Sequence, residues 1–457
     1  MNTEKNILLS YYGDDFTGST DVMESLSLMG IPTILFLEPP SSAVIENFKW
    51  KCREIGENDK IAFGVAGISR SLNVSAMRKE LDSIFNEISK IPSRFFHYKI
   101  CSTLDSSPEV GNIGTALELA EKYFPSTFIP LVMGLPALNR FVVFGNLFAR
   151  IDKETFRLDR HPVMSQHPIT PMSESDIRLH LAKQTDRKMG LVDYFALDRL
   201  GHRSVKDIIG TIPDKRKAPL ILFDTLVDQN LSEIGEWIET NSQSNHQLLL
   251  GSSAIEYALG NVHGKTAVKK SEVIEIKPTL IVAGSCSQTT ADQLNHVANL
   301  GYVMVPLNVA KLFEEDQGNL HVNEIIETAI ENLNAGRNVA IYSAMGPKDP
   351  MLQTIDQSVQ LKSQPHRIAT AQASITKSII NGYPLKRLVT AGGDTSGYIL
   401  KELEIKALEF KNVIAVGAPL CIAHADSPVI DGLEIAVKGG QNGTVKYFEF
   451  AQKGGLN

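Results

Sequence analysis

A glycine pair and a polar tetrad, Gly392-Gly393-Asp394-Thr395-Ser396-Gly397, close the apolar run that begins at Arg387 and open a segment with helical spacing. A helix start leaves backbone N–H groups without intrahelical partners, and its dipole adds partial positive charge there. Glycines let an anion approach the backbone closely, so strand, glycine turn and helix in series form a recipe for a phosphate site. An ordinary tight turn is the competing explanation. Two more turns in the same half share the character: Gly284-Ser285-Cys286-Ser287-Gln288-Thr289 after TLIVA, and Lys438-Gly439-Gly440-Gln441-Asn442-Gly443 after EIAV. Together the three suit a nucleotide whose phosphates are held largely by backbone.

The first half carries a different set of groups, again directly after apolar runs. Asp14 and Asp15 follow the opening strand within Gly13-Asp14-Asp15-Phe16-Thr17-Gly18. Adjacent carboxylates can hold Mg²⁺ through water, or one can serve as a base toward a hydroxyl; capping the following helix is the alternative. Arg70, flanked by Ser69 and Ser71, offers a planar fork suited to a carboxylate. Lys99-Ile100-Cys101-Ser102-Thr103-Leu104-Asp105-Ser106-Ser107 gathers an ammonium, hydroxyls and a carboxylate that can grip a polyhydroxylated anion. No base is recognisable beside Cys101, so its thiol reads as structural. His167 begins a loop stiffened by Pro168 and Pro171, where it can touch a substrate or fix the loop locally. Ser173-Glu174-Ser175-Asp176 then reads as an S-x-x-D helix start. Gly260-Asn261-Val262-His263-Gly264-Lys265-Thr266 imitates a phosphate-binding Walker loop but is one residue short and follows a helix-like run, so it is rejected.

Positioning such groups requires strands that end in turns, and the chain alternates apolar strand-like runs with helix-period segments throughout. NILLSYYG is the first strand; PTILFLEP, KIAFGVAG, RFFHYKIC, STFIPLVMG, RFVVFGNLF, APLILFDTL and HQLLLGSS continue the series. A loop and helix are expected over 14–30, and helical segments around 74–90 and 112–123. A lysine-rich stretch at 261–277 interrupts the pattern, which then restarts with TLIVAGS, YVMVPLN, NVAIYSA, RLVTAGG and NVIAVGAPL. The expected fold is α/β: two doubly wound αβα domains, 1–260 and 278–457, joined by a linker at 261–277, with an active-site cleft between them. Ligands on such sheets sit beyond the carboxyl ends of strands.

Composition narrows the function classes. At 457 residues the chain exceeds one typical core, and its net charge of −7 gives no electrostatic reason to expect nucleic acid or an acidic membrane as partner. The N-terminus shows no secretory pattern and no stretch of about twenty residues is apolar throughout, so a cytoplasmic protein is expected. The scattered Cys52, Cys101, Cys286 and Cys421 and the dispersed histidines argue against a disulfide scaffold or a protein-built transition-metal site. A dehydrogenase is disfavoured, because no G-x-G-x-x-G opens a βαβ unit with an acidic residue some twenty positions later.

Seven motifs, in order, resemble the four-carbon acid sugar kinase family over nearly the whole length: GDDFTGSTD, Ser69-Arg70, KICSTLDSS with GNIG at 111–114, HPITPM, GSCSQTT, AGGDTSG and KGGQNG. The resemblance implies a sugar-acid-binding N-terminal domain and a nucleotide-binding C-terminal domain. It also implies phosphorylation of a terminal hydroxyl by ATP with Mg²⁺. It places substrate contacts on Asp14, Asp15, Arg70, Lys99, Ile100, Cys101, Ser102 and Thr103, with Asp15 orienting or deprotonating the attacking hydroxyl. ATP contacts fall on Ser285, Ser287, Gly392, Gly393, Asp394, Thr395 and Gly440, and a homodimer is allowed for. Where many relatives carry K-x-D-S-T, this chain has Lys99-Ile100-Cys101-Ser102-Thr103. That form, with the D-S and G-N-I-G that follow, resembles members acting on 3-oxo sugar acids. The segment 142–164 departs from the plain 3-oxo-tetronate pattern and leaves room for the branched 3-oxo-isoapionate. D-threonate, L-threonate or D-erythronate as substrate, or a non-catalytic sensor of sugar acid or nucleotide, are the alternatives.

Overall fold

A computed structural model describes residues 7–47, 60–151, 153–167, 169–197, 199–210, 217–242, 245–264, 272–314, 318–350, 352 and 366–456. The chain divides into two compact units, Met1–Val268 and Lys269–Asn457.

In the first unit the strands are β1 (Ile7–Gly13), β2 (Thr33–Phe36), β3 (Ile61–Ala66), β4 (Phe95–Lys99), β5 (Ile129–Val132), β6 (Arg140–Val143), β7 (Asn146–Ile151), β8 (Glu154–Arg157), β9 (Met189–Val192), β10 (Leu220–Phe223) and β11 (Gln247–Gly251). The main sheet runs β2-β3-β1-β4-β11-β5-β10-β9, and neighbouring strands along it are parallel. Every residue of β1, β4 and β11 is buried, as expected where both faces of a parallel sheet are covered. The chain leaves β1 toward β3 and β2 but leaves β4 toward the opposite side of the sheet. The boundary between β1 and β4 is therefore a topological switch point. Register makes the strand ends level there: Gly13 lies opposite both Ala66 and Lys99. Tyr12 stacks on Tyr98 at 5.9 Å and Phe96 on Phe124 at 3.7 Å, so aromatic packing below the ends fixes their height.

The second unit holds β12 (Leu280–Ala283), β13 (Val303–Pro306), β14 (Val339–Tyr342), β15 (Arg387–Ala391), β16 (Ile405–Ala415), β17 (Ala418–Ala425) and β18 (Glu434–Lys438), in the order β13-β14-β12-β15-β18-β17-β16. β17 is antiparallel to both neighbours, and the pairs from β13 to β18 are parallel. Here too the chain departs in opposite directions from adjacent strands, β12 and β15. Ala391 lies opposite both Ala283 and Lys438, so three glycine-bearing turns start at one height.

The expected helices form as Phe16–Leu28, Val74–Ser89 and Ile113–Tyr123. Several expectations need correction. RFVVFGNLF is not one strand: Phe144 and Gly145, both at positive φ, turn it into the β6–β7 hairpin of a separate β6-β7-β8 sheet. NVIAVGAPL likewise folds back at Gly417 into β16 and β17. The helix after the HPITPM loop is Ile177–Ala182, capped by Asp176 and not by Ser173. The stretch proposed as a linker from 261 begins inside the helix Ala254–His263, and its residues 265–271 lie outside the described ones.

Candidate active site

The ends of β1, β3 and β4 are stitched together by backbone. Asp14 N–H donates to Lys99 O at 2.9 Å, Arg70 N–H donates to Asp14 O at 3.0 Å, and Ile100 N–H donates to Gly251 O at 2.8 Å. Asp15 then caps the helix Phe16–Leu28, its Oδ1 accepting from Gly18 N–H at 2.9 Å. Its other oxygen, Oδ2, takes Arg70 Nη2 at 2.6 Å, while Arg70 Nη1 stands 3.9 Å from Asp105. Thr103 Oγ1 donates to Asp105 Oδ1 at 2.7 Å and lies 3.0 Å from Cys101 Sγ. A side chain at Gly18 would put its Cβ 2.5 Å from Asp15 Oδ1 and 2.8 Å from Lys99 Nζ, so the ammonium comes down onto the first turn of that helix.

The charges of this cluster are unevenly satisfied. Lys99 is only 3 % exposed, and its ammonium has no hydrogen bond or ion pair among the described residues. Burial works against its charge, but Asp21, Asp15 and Asp14 outweigh that and hold it above the usual lysine range. Arg70 behaves alike: burial opposes the charge, and the carboxylates of Asp15, Asp14 and Asp105 more than offset it. Asp14 is 4 % exposed, and its Oδ1 is enclosed without a hydrogen-bond partner among the described residues. Burial first, and the neighbouring Asp15 second, push it up to about 7. Burial pushes the Cys101 thiol up to about 12, helped by Asp105, so it stays protonated and is no nucleophile. The cluster thus combines two fixed cations with a carboxylate that changes charge near neutrality, which suits an anionic ligand carrying hydroxyls.

In the second unit the helix Gly393–Glu402 starts at Gly392, whose φ of +118° a side chain rarely adopts. No side chain caps this helix, and Gly393 and Asp394 are exposed at its first turn. Gly284 and Ser285 N–H groups donate to Ala391 O, and Gly392 N–H donates to Lys438 O, tying the three turns together. Ser287 Oγ donates to Gly440 O at 2.5 Å, and Thr290 Oγ1 donates to the same oxygen at 2.9 Å. Thr395 Oγ1 donates to Gln372 Oε1, whose amide Nε2 donates to Ala283 O. Lys438 donates from Nζ to Thr290 Oγ1 at 3.0 Å, and burial pulls it down to about 8.

Among the sequence candidates, Asp14, Asp15, Arg70, Lys99, Cys101 and Thr103 therefore converge in one unit. Ser285, Ser287, Gly392, Gly393, Asp394, Thr395 and Gly440 occupy the level turns of the other. Ser102 is half-buried beside Cys101, and Ile100 contributes only backbone, since its side chain is 1 % exposed. His167 fixes its own loop, Nδ1 accepting from Thr170 N–H at 3.1 Å; Pro168 lies outside the described residues. Sequence reasoning passed over Asp105 and Lys438 as individual site residues. Their signal was positional: one stands two residues beyond Thr103, the other opens a glycine turn. Among the described residues no group of three or more His, Cys, Asp or Glu side chains is placed to hold a metal ion. No helix there is long and apolar enough to cross a membrane.

Comparison with known proteins gives concordant findings. Residues 9–259 match the family model of a sugar-binding N-terminal domain, and residues 280–448 that of a nucleotide-binding C-terminal domain. A 3-oxo-isoapionate kinase of Paraburkholderia graminis is 34% identical over 461 residues, covering 98% of this chain and 95% of that protein. A 3-oxo-tetronate kinase of Cupriavidus necator is 26% identical, covering 97% and 96%. The solved structure of a Haemophilus influenzae protein superimposes with a TM-score of 0.74 at 21% identity, covering 97% and 99%, and so shares the fold.

Proposed function

The chain belongs to the four-carbon acid sugar kinase family, and from that premise we propose that it transfers the γ-phosphoryl group of ATP to the terminal hydroxyl of 3-oxo-isoapionate. The protein is an ATP-dependent sugar-acid kinase, and we assign its work to the cytoplasm. The observation that carries the site assignment is the Lys99 ammonium, buried yet unpaired among the described residues, beside Arg70 at the switch point. The surrounding carboxylates keep the ammonium charged without accepting a hydrogen bond from it, and the oxygens of an anionic ligand supply the missing acceptors. The choice of acid follows the relative that shares 34% of its residues over almost the whole chain. A second reading, 3-oxo-tetronate, is favoured by the further relatives near 26% identity.

Phosphoryl transfer passes through a loose transition state, so catalysis is mostly alignment and charge stabilisation. Arg70, held by Asp15, and Lys99 clamp the carboxylate and hydroxyls of the acid. Asp15, Asp14 beside it, and the hydroxyls of Ser102 and Thr103 orient the attacking end. The turn Gly392–Thr395, with Ser285, Ser287 and Gly440 beside it, receives the triphosphate at the uncapped start of the helix. Asp394, exposed at this turn, is an oxygen donor compatible with Mg²⁺ held through water. The ion would neutralise phosphate charge.

The test is ATP consumption with Mg²⁺ against 3-oxo-isoapionate, 3-oxo-tetronate, D- and L-threonate and D-erythronate. Turnover of 3-oxo-isoapionate above the others supports the reading. Preference for another acid reassigns the substrate. Binding of acid and nucleotide without product would make the protein a sensor.

A further inference from the structure

We propose that Asp14, and not its neighbour Asp15, accepts the proton of the attacking hydroxyl. This rests on the kinase reading above and deepens it.

The two adjacent carboxylates are in opposite situations. Asp15 is committed on both oxygens, Oδ1 to the Gly18 N–H and Oδ2 to the Arg70 guanidinium. With one oxygen turned to the helix start and the other to the guanidinium, Asp15 is spent on holding Arg70 in place. Asp14 has an enclosed Oδ1 that nothing described satisfies. Its main chain is pinned from both sides, by Lys99 O and by the Arg70 N–H, which fixes the point from which the side chain departs. Buried polar atoms without partners are rare in folded proteins, and such an atom at a sheet's switch point has a ready explanation in a ligand donor. A sugar hydroxyl is the donor this acceptor lacks.

Asp14 also has the proton affinity of a base that works near neutral pH. The groups facing it are Asp15 at the helix start, Arg70 beyond β3, Lys99 at the end of β4, Asp105, Tyr12 and Tyr98. Burial and the Asp15 charge raise it to about 7, against the lowering by Arg70 and Lys99. A general base is most effective when its pKa lies close to the operating pH.

The hydroxyl O–H bond breaks, and its proton passes to an Asp14 carboxylate oxygen. The freed oxygen pair forms the bond to the γ-phosphorus. The bond from that phosphorus to the bridging oxygen breaks, and its electron pair leaves with ADP. Asp14 returns the proton to solvent after the phosphorylated acid departs.

The experiment compares wild type, Asp14→Asn and Asp15→Asn from pH 5 to 9 with ATP, Mg²⁺ and the preferred acid of the panel. ATP binding by calorimetry serves as the folding control. Wild type should show kcat rising tenfold per pH unit below about 7. Asp14→Asn should lose about 10²- to 10⁴-fold in kcat, with KM for the acid little changed and the rise abolished. Asp15→Asn should raise KM and keep the rise. A difference infrared titration of the whole protein supplies a second readout: a protonated-carboxyl band that vanishes near pH 7 in wild type and is missing in Asp14→Asn. An Asp14→Asn enzyme that keeps more than a tenth of kcat with the rise intact overturns the inference while leaving the kinase reading standing. So does transfer of the pH limb to Asp15→Asn. A wild type silent against the whole panel overturns the kinase reading and this inference with it.

Discussion

Arg70 Nη2 lies 2.6 Å from Asp15 Oδ2, joining the turn after β3 to the helix that follows β1. The pair is part-buried, and Asp15 is held on its other side by Gly18, so the guanidinium is aimed by a group that is itself fixed. Arg70→Ala should raise KM for the acid by roughly 10- to 100-fold, the range expected for a hydrogen bond to a charged group. ATP affinity should stay within about twofold, because the nucleotide turns lie in the other unit. Arg70→Lys should restore little, since an ammonium cannot reproduce the fork. Steady-state kinetics with calorimetric ATP titration checks this; equal losses for acid and ATP would remove Arg70 from the acid site.

Gly393 and Gly284 make a contrasting pair in the nucleotide unit. A Cβ at Gly393 meets nothing within 4 Å, whereas one at Gly284 would lie 1.9 Å from Thr395 Oγ1. Gly393→Val should therefore fold normally and lose ATP affinity at least tenfold, because the added methyls occupy space that phosphate needs. Gly284→Ala should lower the melting temperature as well. Unchanged nucleotide affinity in Gly393→Val would count against the phosphate turn.

Asp14 makes stability depend on pH in a defined direction. Its folded pKa, about 7, lies above the ordinary 3.8, so between those values the folded chain binds the proton more tightly than the unfolded one. Its stabilising contribution is complete at low pH and is lost as pH rises through about 7. Asp14→Asn should consequently gain melting temperature relative to wild type on going from pH 5 to 8. A difference that stays flat across that window would mean that the carboxyl is not perturbed.

Lys438 supplies a pH signature for the nucleotide. Burial lowers it from 10.5 to about 8, so its positive charge beside the Gly440 turn fades as pH climbs from 7 to 9. ATP affinity should fall over that range in wild type and stay level in Lys438→Gln, which has no charge to lose. Calorimetry at three pH values is sufficient; identical slopes would place Lys438 outside the phosphate field.

How much of this was legible in the sequence depended on what surrounds each residue. Parallel strands such as β1 and β11 stood out because burial on both faces demands unbroken apolar runs. The same continuity concealed the hairpins: RFVVFGNLF and NVIAVGAPL carry apolar side chains straight through their turns, so only Gly145 and Gly417 marked the reversal. The site turns were readable because each polar cluster directly followed a strand. The division of labour between Asp14 and Asp15 was not. Adjacent identical residues differ only in which one faces the helix start and which one faces inward, a matter of three-dimensional direction. Lys438 was hidden for a related reason: its ammonium is drawn back under the glycine turn, beside Thr290, from a strand across the sheet.

The uncapped start of the helix Gly393–Glu402 has a thermodynamic consequence. With glycine at the cap position, the missing side-chain cap costs only about a few tenths of a kcal/mol, and the orphan N–H groups stay open to a ligand. Binding then enters the folding equilibrium directly: at a free nucleotide concentration 100 times the dissociation constant, mass action adds roughly 2.7 kcal/mol to the folded state. The persistence of this unit against unfolding and proteolysis would thus follow the energy charge of its surroundings, so that scarcity of nucleotide shortens the lifetime of the catalyst as well as slowing its turnover.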